Sequence, residues 1–228
     1  MTTSAVALKN VSKTYQTEAL EVRALDRVDV QITAGEFLAL AGPSGSGKTT
    51  LLNIIGGLDR ADTGEVWVAE QNLQTLSSGK LARLRLQHIG FVFQAYNLIP
   101  VLSARENAEF TLLLQGMPEP QRRKKIQQLF SEIGLAGLEE RRPAQLSGGQ
   151  QQRVAVARAM ATEPALILAD EPTANLDSTT AAALLDVMAE LNHRHGTTFL
   201  FSTHDPQVME RAQRLIRLRD GQVVQAGQ

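Results

Sequence analysis

Short apolar runs bounded by polar and glycine-rich segments give the first structural signal in this chain. Residues 37–41 (Phe-Leu-Ala-Leu-Ala) and 165–169 (Ala-Leu-Ile-Leu-Ala) are continuously apolar and short, a pattern typical of strands that are buried on both faces. Residues 197–202 predict a third strand. Apolar positions at helical spacing follow the first two runs, over residues 49–58 and 178–194. This succession of strand, helix and strand predicts a parallel sheet with right-handed crossovers.

Two other parts of the chain carry different patterns. Residues 5–11, 22–25 and 28–32 predict antiparallel strands joined by polar turns, and residues 64–69 predict another strand of the same kind. Residues 103–161 are mostly helical in pattern. Three prolines interrupt this helical stretch: Pro118, Pro120 and Pro143. We therefore expect a parallel core, an antiparallel edge sheet and a helical insert within one folding unit.

Composition narrows the functional class. The chain has 228 residues, and its 43% hydrophobic content is enough for a sizeable core. A net charge of −1 provides no basic field that would attract nucleic acid, so no nucleic-acid partner is expected. The absence of cysteine excludes disulfides and thiolate metal sites and fits a reducing compartment. No apolar run approaches the roughly 20 residues of a membrane span. We therefore expect a cytoplasmic protein whose role at a membrane would depend on a partner.

A glycine-rich segment joins the first predicted strand to the first predicted helix. Its glycines allow backbone N–H groups to surround a phosphate, and the helix N-terminus attracts the same anion. Lys48 can reach the β- and γ-phosphates, and the Thr49 hydroxyl can bind Mg²⁺. The motif by itself does not separate ATPases from GTPases or small-molecule kinases. The predicted nucleotide-binding residues here are Gly42, Pro43, Ser44, Gly45, Ser46, Gly47, Lys48, Thr49 and Thr50.

Two acidic residues follow the second apolar strand. Asp170 stands at the strand end, where a carboxylate can hold Mg²⁺ through water. Glu171 points the other way along the predicted pleat, towards the position of an attacking water, and can act as a general base. The alternative is that both acids begin a solvated loop.

A second glycine motif lies about a hundred residues after the first. Leu146 is followed by Ser147, Gly148, Gly149 and Gln150, and a long helical stretch begins there. Ser147 is a favourable helix N-cap, and the two glycines leave the backbone open to an anion. On physical grounds alone the segment is either a second phosphate site or an ordinary capped helix.

The two motifs together resemble those of ABC-type ATPases, and the resemblance covers essentially the whole chain. It implies a P-loop NTPase (RecA-like) α/β fold, with a parallel-sheet core, an antiparallel β edge subdomain and an α-helical insert. It also implies a single nucleotide-binding domain over residues 1–228. The core and β subdomain would cover approximately residues 1–94 and 160–228, and the helical subdomain, with the motif at Ser147, approximately residues 95–159.

The resemblance assigns roles to further residues. Gln94 resembles the glutamine that contacts Mg²⁺ and the water and senses a membrane partner. His204 resembles the histidine that holds the γ-phosphate, and residues 174–177 resemble a loop that crosses a dimer interface. Tyr15 resembles the aromatic residue that stacks on adenine. The alternative for Tyr15 is a strand residue that packs on the core.

The same resemblance implies a mechanism. Two copies stack head to tail, and each ATP lies between the P-loop of one copy and Ser147–Gln150 of the other. Lys48 stabilises the transferring phosphoryl group, and Glu171 activates water. Mg²⁺ is held by Thr49, Gln94 and Asp170. The chain is therefore expected to hydrolyse ATP.

A narrower resemblance involves residues 91–94, 96–100 and 106–107, which are similar to those of ABC ATPases for macrolide export, lipoprotein release and cell division. The chain departs from that group at Ala174, where glycine is usual. The group implies a permease-type integral membrane partner with four spans and a large extracytoplasmic domain, which would hold this chain peripherally at the inner face of the membrane.

The membrane partner would dock on residues 94–102. The predicted apolar anchors are Tyr96, Leu98, Ile99 and Leu102. The alternative is that these residues pack into the helical insert of the chain itself.

Two other functional classes compete with this interpretation. Soluble ABC ATPases that handle DNA or the ribosome usually carry a long coiled coil, zinc-binding cysteines or two fused cassettes, and the sequence has none of these. A P-loop kinase or GTPase would not need the motif at Ser147 or the histidine at position 204.

Overall fold

The computed structural model describes residues 4–16 and 21–227, which form ten strands and seven α-helices. The strands are β1 Ser4–Gln16, β2 Glu21–Thr33, β3 Phe37–Ala41, β4 Thr63–Val68, β5 Gln71–Asn72, β6 Ile89–Phe93, β7 Leu166–Asp170, β8 Thr198–Thr203, β9 Arg214–Arg219 and β10 Gln222–Gly227. The helices are α1 Lys48–Ile55, α2 Ser78–His88, α3 Ala104–Leu114, α4 Glu119–Glu132, α5 Gly148–Met160, α6 Ser178–His195 and α7 Pro206–Arg211.

The larger sheet has six strands in the order β10-β9-β3-β8-β7-β6. Its five strands from β9 to β6 are parallel, and β10 is antiparallel to β9 at the edge. The predicted parallel core is therefore confirmed. The sequence patterns identified β3, β7 and β8 but missed β6, β9 and β10.

The central strands are buried on both faces, as their continuous apolar sequences predict. Phe37 and Phe199 contribute to the core cluster on one face, whereas Leu38 and Leu200 contribute to a second cluster on the other. This division follows from the pleat, because successive side chains of a strand point to opposite faces. Burial of each large apolar side chain contributes about 1.5–3 kcal/mol, so both faces of the sheet stabilise the fold.

The smaller sheet is antiparallel, with the strand order β2-β1-β4-β5. The predicted antiparallel edge is thereby confirmed, but its strands are longer than the patterns suggested. Residues 22–25 and 28–32 belong to one strand, β2, and not to two. Arg27 has a positive φ of 48° and lies beside an irregularity in the pairing with β1, so β2 passes through a bulge without ending.

The helices begin and end at recognisable capping residues. The Asp177 side chain accepts the Thr180 N–H at the start of α6, and Gly196 ends that helix in a left-handed conformation. The first helix ends at Ile55, earlier than the predicted residue 58. Gly56 caps it and Gly57 has a φ of 61°, so the chain leaves the helix there.

The helical stretch between β6 and β7 contains α3, α4 and α5. Pro118 is the N-cap of α4, and Pro143 begins a single 3₁₀ turn before α5. Buried Ala108, Phe130 and Val154, one from each helix, belong to the same core cluster as Phe37 and Phe199 of the large sheet. Packing is therefore continuous from the helical stretch to that sheet.

Within residues 4–16 and 21–227, no helix has the length and hydrophobicity needed to cross a membrane.

Candidate functional site

Four strand ends bring the predicted site residues to one edge of the large sheet. The P-loop follows β3, Asp170 ends β7, His204 follows β8 and Gln94 follows β6. These four strands are parallel, so their carboxyl ends lie at the same edge. This edge is where ligands bind in open α/β sheets.

The P-loop adopts a backbone that requires glycine. Gly45 and Gly47 have positive φ angles of 78° and 101°. A Cβ at Gly42 would lie 2.2 Å from the carbonyl oxygen of Leu218 in β9. The N–H of Gly221, in the turn between β9 and β10, donates to the Ser46 carbonyl oxygen at 3.1 Å. The strands β9 and β10 and the turn between them therefore support the P-loop backbone.

Lys48 is buried in the loop, with only 7% of its surface exposed. Its Nζ donates to the carbonyl oxygens of Gly42 and Pro43 at 2.8 and 3.0 Å. Among the described residues it has no carboxylate within salt-bridge distance, and the buried Ser46 hydroxyl has no partner. A buried cation needs a counter-charge, and an orphaned hydroxyl needs a hydrogen-bond partner. Both features fit a phosphate group in the loop.

Oxygen donors for a divalent cation lie beside Lys48. Thr49 Oγ1 lies 3.2 Å from Asp170 Oδ2, and the Ser202 hydroxyl donates to the other carboxylate oxygen of Asp170. Hydroxyl and carboxylate oxygens suit Mg²⁺, which commonly combines few protein ligands with substrate phosphates. In the described ranges, no group of three or more His, Cys, Asp or Glu residues could hold a metal.

Glu171 and His204 form a pair above the P-loop edge. The distance from His204 Nδ1 to Glu171 Oε1 is 3.0 Å. Glu171 has a φ of 46°, and its N–H donates to the Ser202 carbonyl oxygen at 3.0 Å. The expectation that the pleat orients Glu171 is wrong, because β7 ends at Asp170 and Glu171 is already in a left-handed turn. Such strained residues concentrate at functional sites.

Gln94 leaves β6 with an exposed side chain. Its carbonyl oxygen accepts a hydrogen bond from the Asn175 side chain at 3.0 Å. The structure therefore joins the segment that begins at Gln94 to residues 174–177. The contact was not predicted, because it joins residues that are far apart in the sequence.

Two further residues of α5 hold the same segment. The Arg158 guanidinium donates to the carbonyl oxygens of Tyr96, at 2.9 Å, and of Asn97. Both acceptor residues have positive φ, 57° and 51°. Burial lowers the pKa of Arg158. Gln152, fully buried, donates to the carbonyl oxygen of Phe93 at 3.3 Å. The signal that sequence reasoning passed over is Arg158, a charged residue in the otherwise apolar second half of α5.

The segment Ser147–Gln150 forms the N-terminus of α5. The Ser147 hydroxyl accepts the Gln150 N–H at 3.3 Å, and the Gln150 side chain accepts the Ser147 N–H at 2.9 Å, which makes a capping box. A Cβ at Gly148 would lie 2.9 Å from the Tyr96 hydroxyl, and one at Gly149 would lie 2.4 Å from Thr180 Cγ2. The atoms around these glycines thus come from elements other than the P-loop.

Tyr15 lies at the end of β1 and is 38% exposed, so the alternative of a core-packing residue is wrong. Its hydroxyl donates to Asp59 Oδ2 at 2.7 Å. Asp59 lies in the turn after α1, the helix that begins at the P-loop. The exposed ring of Tyr15 is therefore fixed to the same element that carries Lys48 and Thr49.

An apolar cleft of about 680 Å³ opens beside the segment that follows Gln94. Leu58, Phe91, Phe93 and Leu114 line it, together with Arg158. Leu58 and Leu114 are 51% and 60% exposed.

Of the four apolar anchors predicted near this cleft, two contact the chain itself. Leu98 packs against the core cluster, and the Tyr96 hydroxyl lies near Gly148. For these two residues the structure agrees with the alternative of packing within the chain.

A family model described as ABC transporter matches residues 25–174. The macrolide export ATP-binding/permease protein MacB 2 of Yersinia pestis biovar Antiqua is 46% identical over 217 residues, which is 95% of this chain but 32% of that protein. This chain thus spans about a third of the length of the macrolide export relatives.

One relative has a similar length. YvrO of Bacillus subtilis, named as an uncharacterised ABC transporter ATP-binding protein, is 42% identical over 96% of this chain and 95% of that protein.

Among solved structures, a dimer of the ATP-binding cassette MJ0796, in a post-hydrolysis state with ADP and Pi, has a TM-score of 0.90 and 43% identity. The match covers 98% of each chain.

Proposed function

Because this chain belongs to the ABC transporter family and is an ATPase of that type, we propose that it works as a head-to-tail pair around ATP and drives a membrane-embedded partner. The MJ0796 cassette supports this proposal, since its structure is a dimer with ADP and Pi. We also propose that each ATP lies between the P-loop of one copy and the Ser147–Gln150 segment of the other.

One observation carries the proposal: the chain has two phosphate-type motifs, and the atoms nearest to the glycines of the second belong to elements other than the P-loop. The P-loop, with buried Lys48, is the first. The second is the N-terminus of α5 at Ser147, whose glycines lie against Tyr96 and Thr180. A second copy, turned head to tail, would place its own Ser147–Gln150 segment over the P-loop of the first. The γ-phosphate would then be attracted by two helix N-termini.

The P-loop binds the triphosphate, and Tyr15 stacks on the adenine base. Lys48 exchanges its two carbonyl contacts for phosphate oxygens, which are stronger acceptors because they are charged. Thr49 and Asp170 would hold Mg²⁺, with Gln94 as a further ligand, and the ion would supply neutralisation of phosphate charge.

Glu171 is the general base in this proposal. A water oxygen attacks the γ-phosphorus, the bond to the ADP oxygen breaks, and the Glu171 carboxylate accepts the water proton. His204 contacts the same carboxylate at 3.0 Å and orients the γ-phosphate beside it. Lys48 stabilises the charge of the transferring group. Phosphate release then removes the bridge between the two copies, and the pair opens.

The substitution Glu171→Gln tests both the general base and the ATP-dependent dimer. Without the base, we expect the rate of hydrolysis to fall by about 10²–10⁴-fold, and ATP with Mg²⁺ should trap a stable dimer. The measurements are phosphate release and light scattering with size-exclusion chromatography. The matched control is Glu190→Gln, because Glu190 is exposed on α6 and pairs with Arg194. It should leave both measurements at wild-type values.

A Glu171→Gln protein that stays monomeric with saturating ATP, and that hydrolyses ATP at the wild-type rate, would overturn both the base assignment and the sandwich.

The membrane partner is assigned to the apolar cleft. Leu58 and Leu114 expose apolar surface at its rim, and Phe91 lies within it. Apolar pockets rimmed by polar groups mark interaction sites. The macrolide export relatives are named as ATP-binding/permease proteins. We therefore assign the cleft to a cytoplasmic segment of a permease-type subunit, with four spans and an extracytoplasmic domain, which holds this chain at the inner membrane face.

Charged substitutions test this docking. Leu114→Asp should abolish co-purification of an integral membrane protein from detergent-solubilised membranes. Leu113→Asp is the matched control, since Leu113 is also half exposed but lies outside the cleft lining. The bound protein should contain four hydrophobic spans when it is identified by mass spectrometry. Co-purification with DNA or ribosomes in its place would favour the soluble class of ABC ATPase.

A further inference from the structure

We infer that Asp59 and Lys13 are positioning residues for Tyr15, which hold its ring ready for the nucleotide base before the base arrives. The inference rests on the proposed function, in which Tyr15 stacks on adenine. It adds two residues to which neither the sequence motifs nor the family resemblance gave a role.

Asp59 is the centre of a hydrogen-bonded cluster. Its carboxylate accepts the Tyr15 hydroxyl at 2.7 Å, the Lys13 ammonium at 3.1 Å and the Arg60 N–H at 2.7 Å. The Asp59 N–H in turn donates to the carbonyl oxygen of Asn53 in α1 at 3.2 Å. The phenol of Tyr15 is therefore tied, through one side chain, to the helix that starts at the P-loop.

Lys13 lies over one face of the Tyr15 ring. Its Nζ lies 5.1 Å from the centroid of the Tyr15 ring, within the range of a cation–π contact. It also donates to the Arg60 carbonyl oxygen at 2.8 Å and lies 3.4 Å from Asp62. One ring face is thus covered by an ammonium group that is itself held by three oxygens, and a base must stack on the opposite face.

The pKa shifts of Tyr15 and Asp59 agree with these hydrogen bonds. Burial and the hydrogen bond to Asp59 raise the pKa of the Tyr15 phenol, whereas the nearby Thr50 hydroxyl lowers it to a smaller extent. Burial alone would raise the pKa of Asp59, but hydrogen bonds from Tyr15, Arg60 and Lys13 outweigh it and lower the pKa. At neutral pH the phenol is therefore a donor and the carboxylate an acceptor, as the geometry requires.

This arrangement sets the separation between the base platform and the phosphate loop. A free tyrosine at the end of β1 would lose rotamer freedom each time a base bound to it, and the affinity would fall accordingly. In this chain the ring is held by contacts with Asp59 and Lys13 of the protein itself. The cluster should consequently strengthen binding of nucleotides that carry a base and leave binding of a bare phosphate chain unchanged.

The test compares ATP with a ligand that lacks the base. For each variant we would measure KM and kcat for ATP hydrolysis and the inhibition constant of inorganic pyrophosphate. Removing the ring by Tyr15→Ala should raise KM for ATP about 10-fold, the scale of one base–aromatic stack. Asp59→Ala should raise KM roughly 3- to 10-fold through the freed ring. In both variants kcat and the inhibition constant of pyrophosphate should stay at wild-type values.

Three further proteins sharpen the result. The double variant Tyr15→Ala/Asp59→Ala should equal Tyr15→Ala, since a missing ring needs no positioning. Asp59→Asn keeps an acceptor oxygen and should recover most of the loss. Asp29→Ala is the matched control, because Asp29 also accepts a backbone N–H in the small sheet, that of Asn10, without contacting Tyr15. It should leave KM unchanged.

The results that would overturn the positioning role differ from those that would overturn the proposed function. If Tyr15→Ala raises KM but Asp59→Ala does not, the positioning role is wrong and the proposed function stands. If Asp59→Ala weakens pyrophosphate as much as ATP, Asp59 acts on α1 and the P-loop, and the inference is again wrong. If Tyr15→Ala itself leaves KM unchanged, the assignment of Tyr15 to the base fails, and the positioning inference fails with it.

Discussion

At the scale of single residues, Arg158 shows how one side chain fixes a strained segment. Its guanidinium reaches two successive carbonyl groups, of Tyr96 and Asn97, in a turn with two positive φ angles. A planar fork of N–H donors suits this task, whereas a lysine ammonium is a point charge on a flexible stem. Arg158 also lines the apolar cleft, so this residue of α5 belongs both to the proposed docking site and to the contacts that hold the turn.

Arg158→Lys should therefore destabilise the protein although the charge is kept. One carbonyl group of the turn loses its partner, and we expect the free energy of unfolding to fall by about 1–3 kcal/mol. Urea denaturation followed by circular dichroism measures this change. The matched control is Arg153→Lys in the same helix, because Arg153 makes one long bond of 3.3 Å to the Ile133 carbonyl oxygen. Equal losses in the two variants would contradict the role of the fork.

The residues that the sequence predicted are those within short motifs. Lys48 and Thr49 act through the backbone that the surrounding glycines permit, and that local geometry is visible in the sequence. The structure then places Asp170 beside Thr49, as expected for a shared cation. Asp59 and Arg158 could not be predicted, because each acts on a residue that is distant in the chain and has no spacing rule.

At the scale of elements, the start of α5 is packed closely against the start of α6. A Cβ at Gly149 would approach Thr180 Cγ2 to 2.4 Å, and Thr180 is held by its hydroxyl bond to Asp177 at 2.6 Å. The glycine is therefore required by packing between two helices, in addition to any anion at the helix N-terminus.

Gly149→Ala should reduce stability by about 1–3 kcal/mol through overpacking. The double variant Gly149→Ala/Thr180→Ser removes the obstructing methyl group but keeps the hydroxyl bond to Asp177. It should recover wild-type stability or exceed it, because alanine favours a helix over glycine by up to about 1 kcal/mol. Thermal unfolding of the single and double variants measures both effects. A double variant as unstable as Gly149→Ala would show that the cost has another origin.

The elements that the sequence missed have identifiable reasons. The strand β6 contains Gly90, which weakens a strand pattern but is needed because a Cβ there would lie 2.6 Å from the Ala159 carbonyl oxygen. The strand β9 has the sequence Arg-Leu-Ile-Arg-Leu-Arg, in which arginines interrupt the apolar residues, so it lacks the continuous apolar run by which β3 was recognised. By contrast, β3 and α6 were predicted correctly, because burial on both faces and a capped amphipathic pattern are local signals.

At the scale of the whole molecule, ionised carboxylates contribute to stability in two distant places. Asp59 has a lowered pKa in its cluster, as described above. The pKa of Glu106 is lowered chiefly by the Ser103 N–H, which donates to its carboxylate at 2.7 Å in the capping box of α3. A lowered folded-state pKa means that the ionised form is bound more tightly in the folded protein than in the unfolded one.

Both carboxylates therefore stabilise the folded protein at neutral pH, and this stabilisation decreases in acid. The contribution of each group is complete above its unfolded pKa of about 4, and it is lost as the pH falls towards the lower folded value. Asp59→Asn/Glu106→Gln should therefore be less stable than wild type at pH 7, and its stability should depend less steeply on pH below about 4. Chemical denaturation over a pH series provides the data. Parallel curves for the variant and wild type would be inconsistent with these two pKa shifts.

The contacts of Leu218 and Gly221 with the P-loop have a consequence for folding during synthesis. Ser46 and Gly42 contact Gly221 and Leu218, which are made long after the loop itself during synthesis. A nascent chain that ends before these residues carries every glycine of the phosphate cradle but lacks the backbone against which the cradle is shaped. The growing polypeptide should therefore acquire its affinity for nucleotide only when β9 and β10 have left the ribosome.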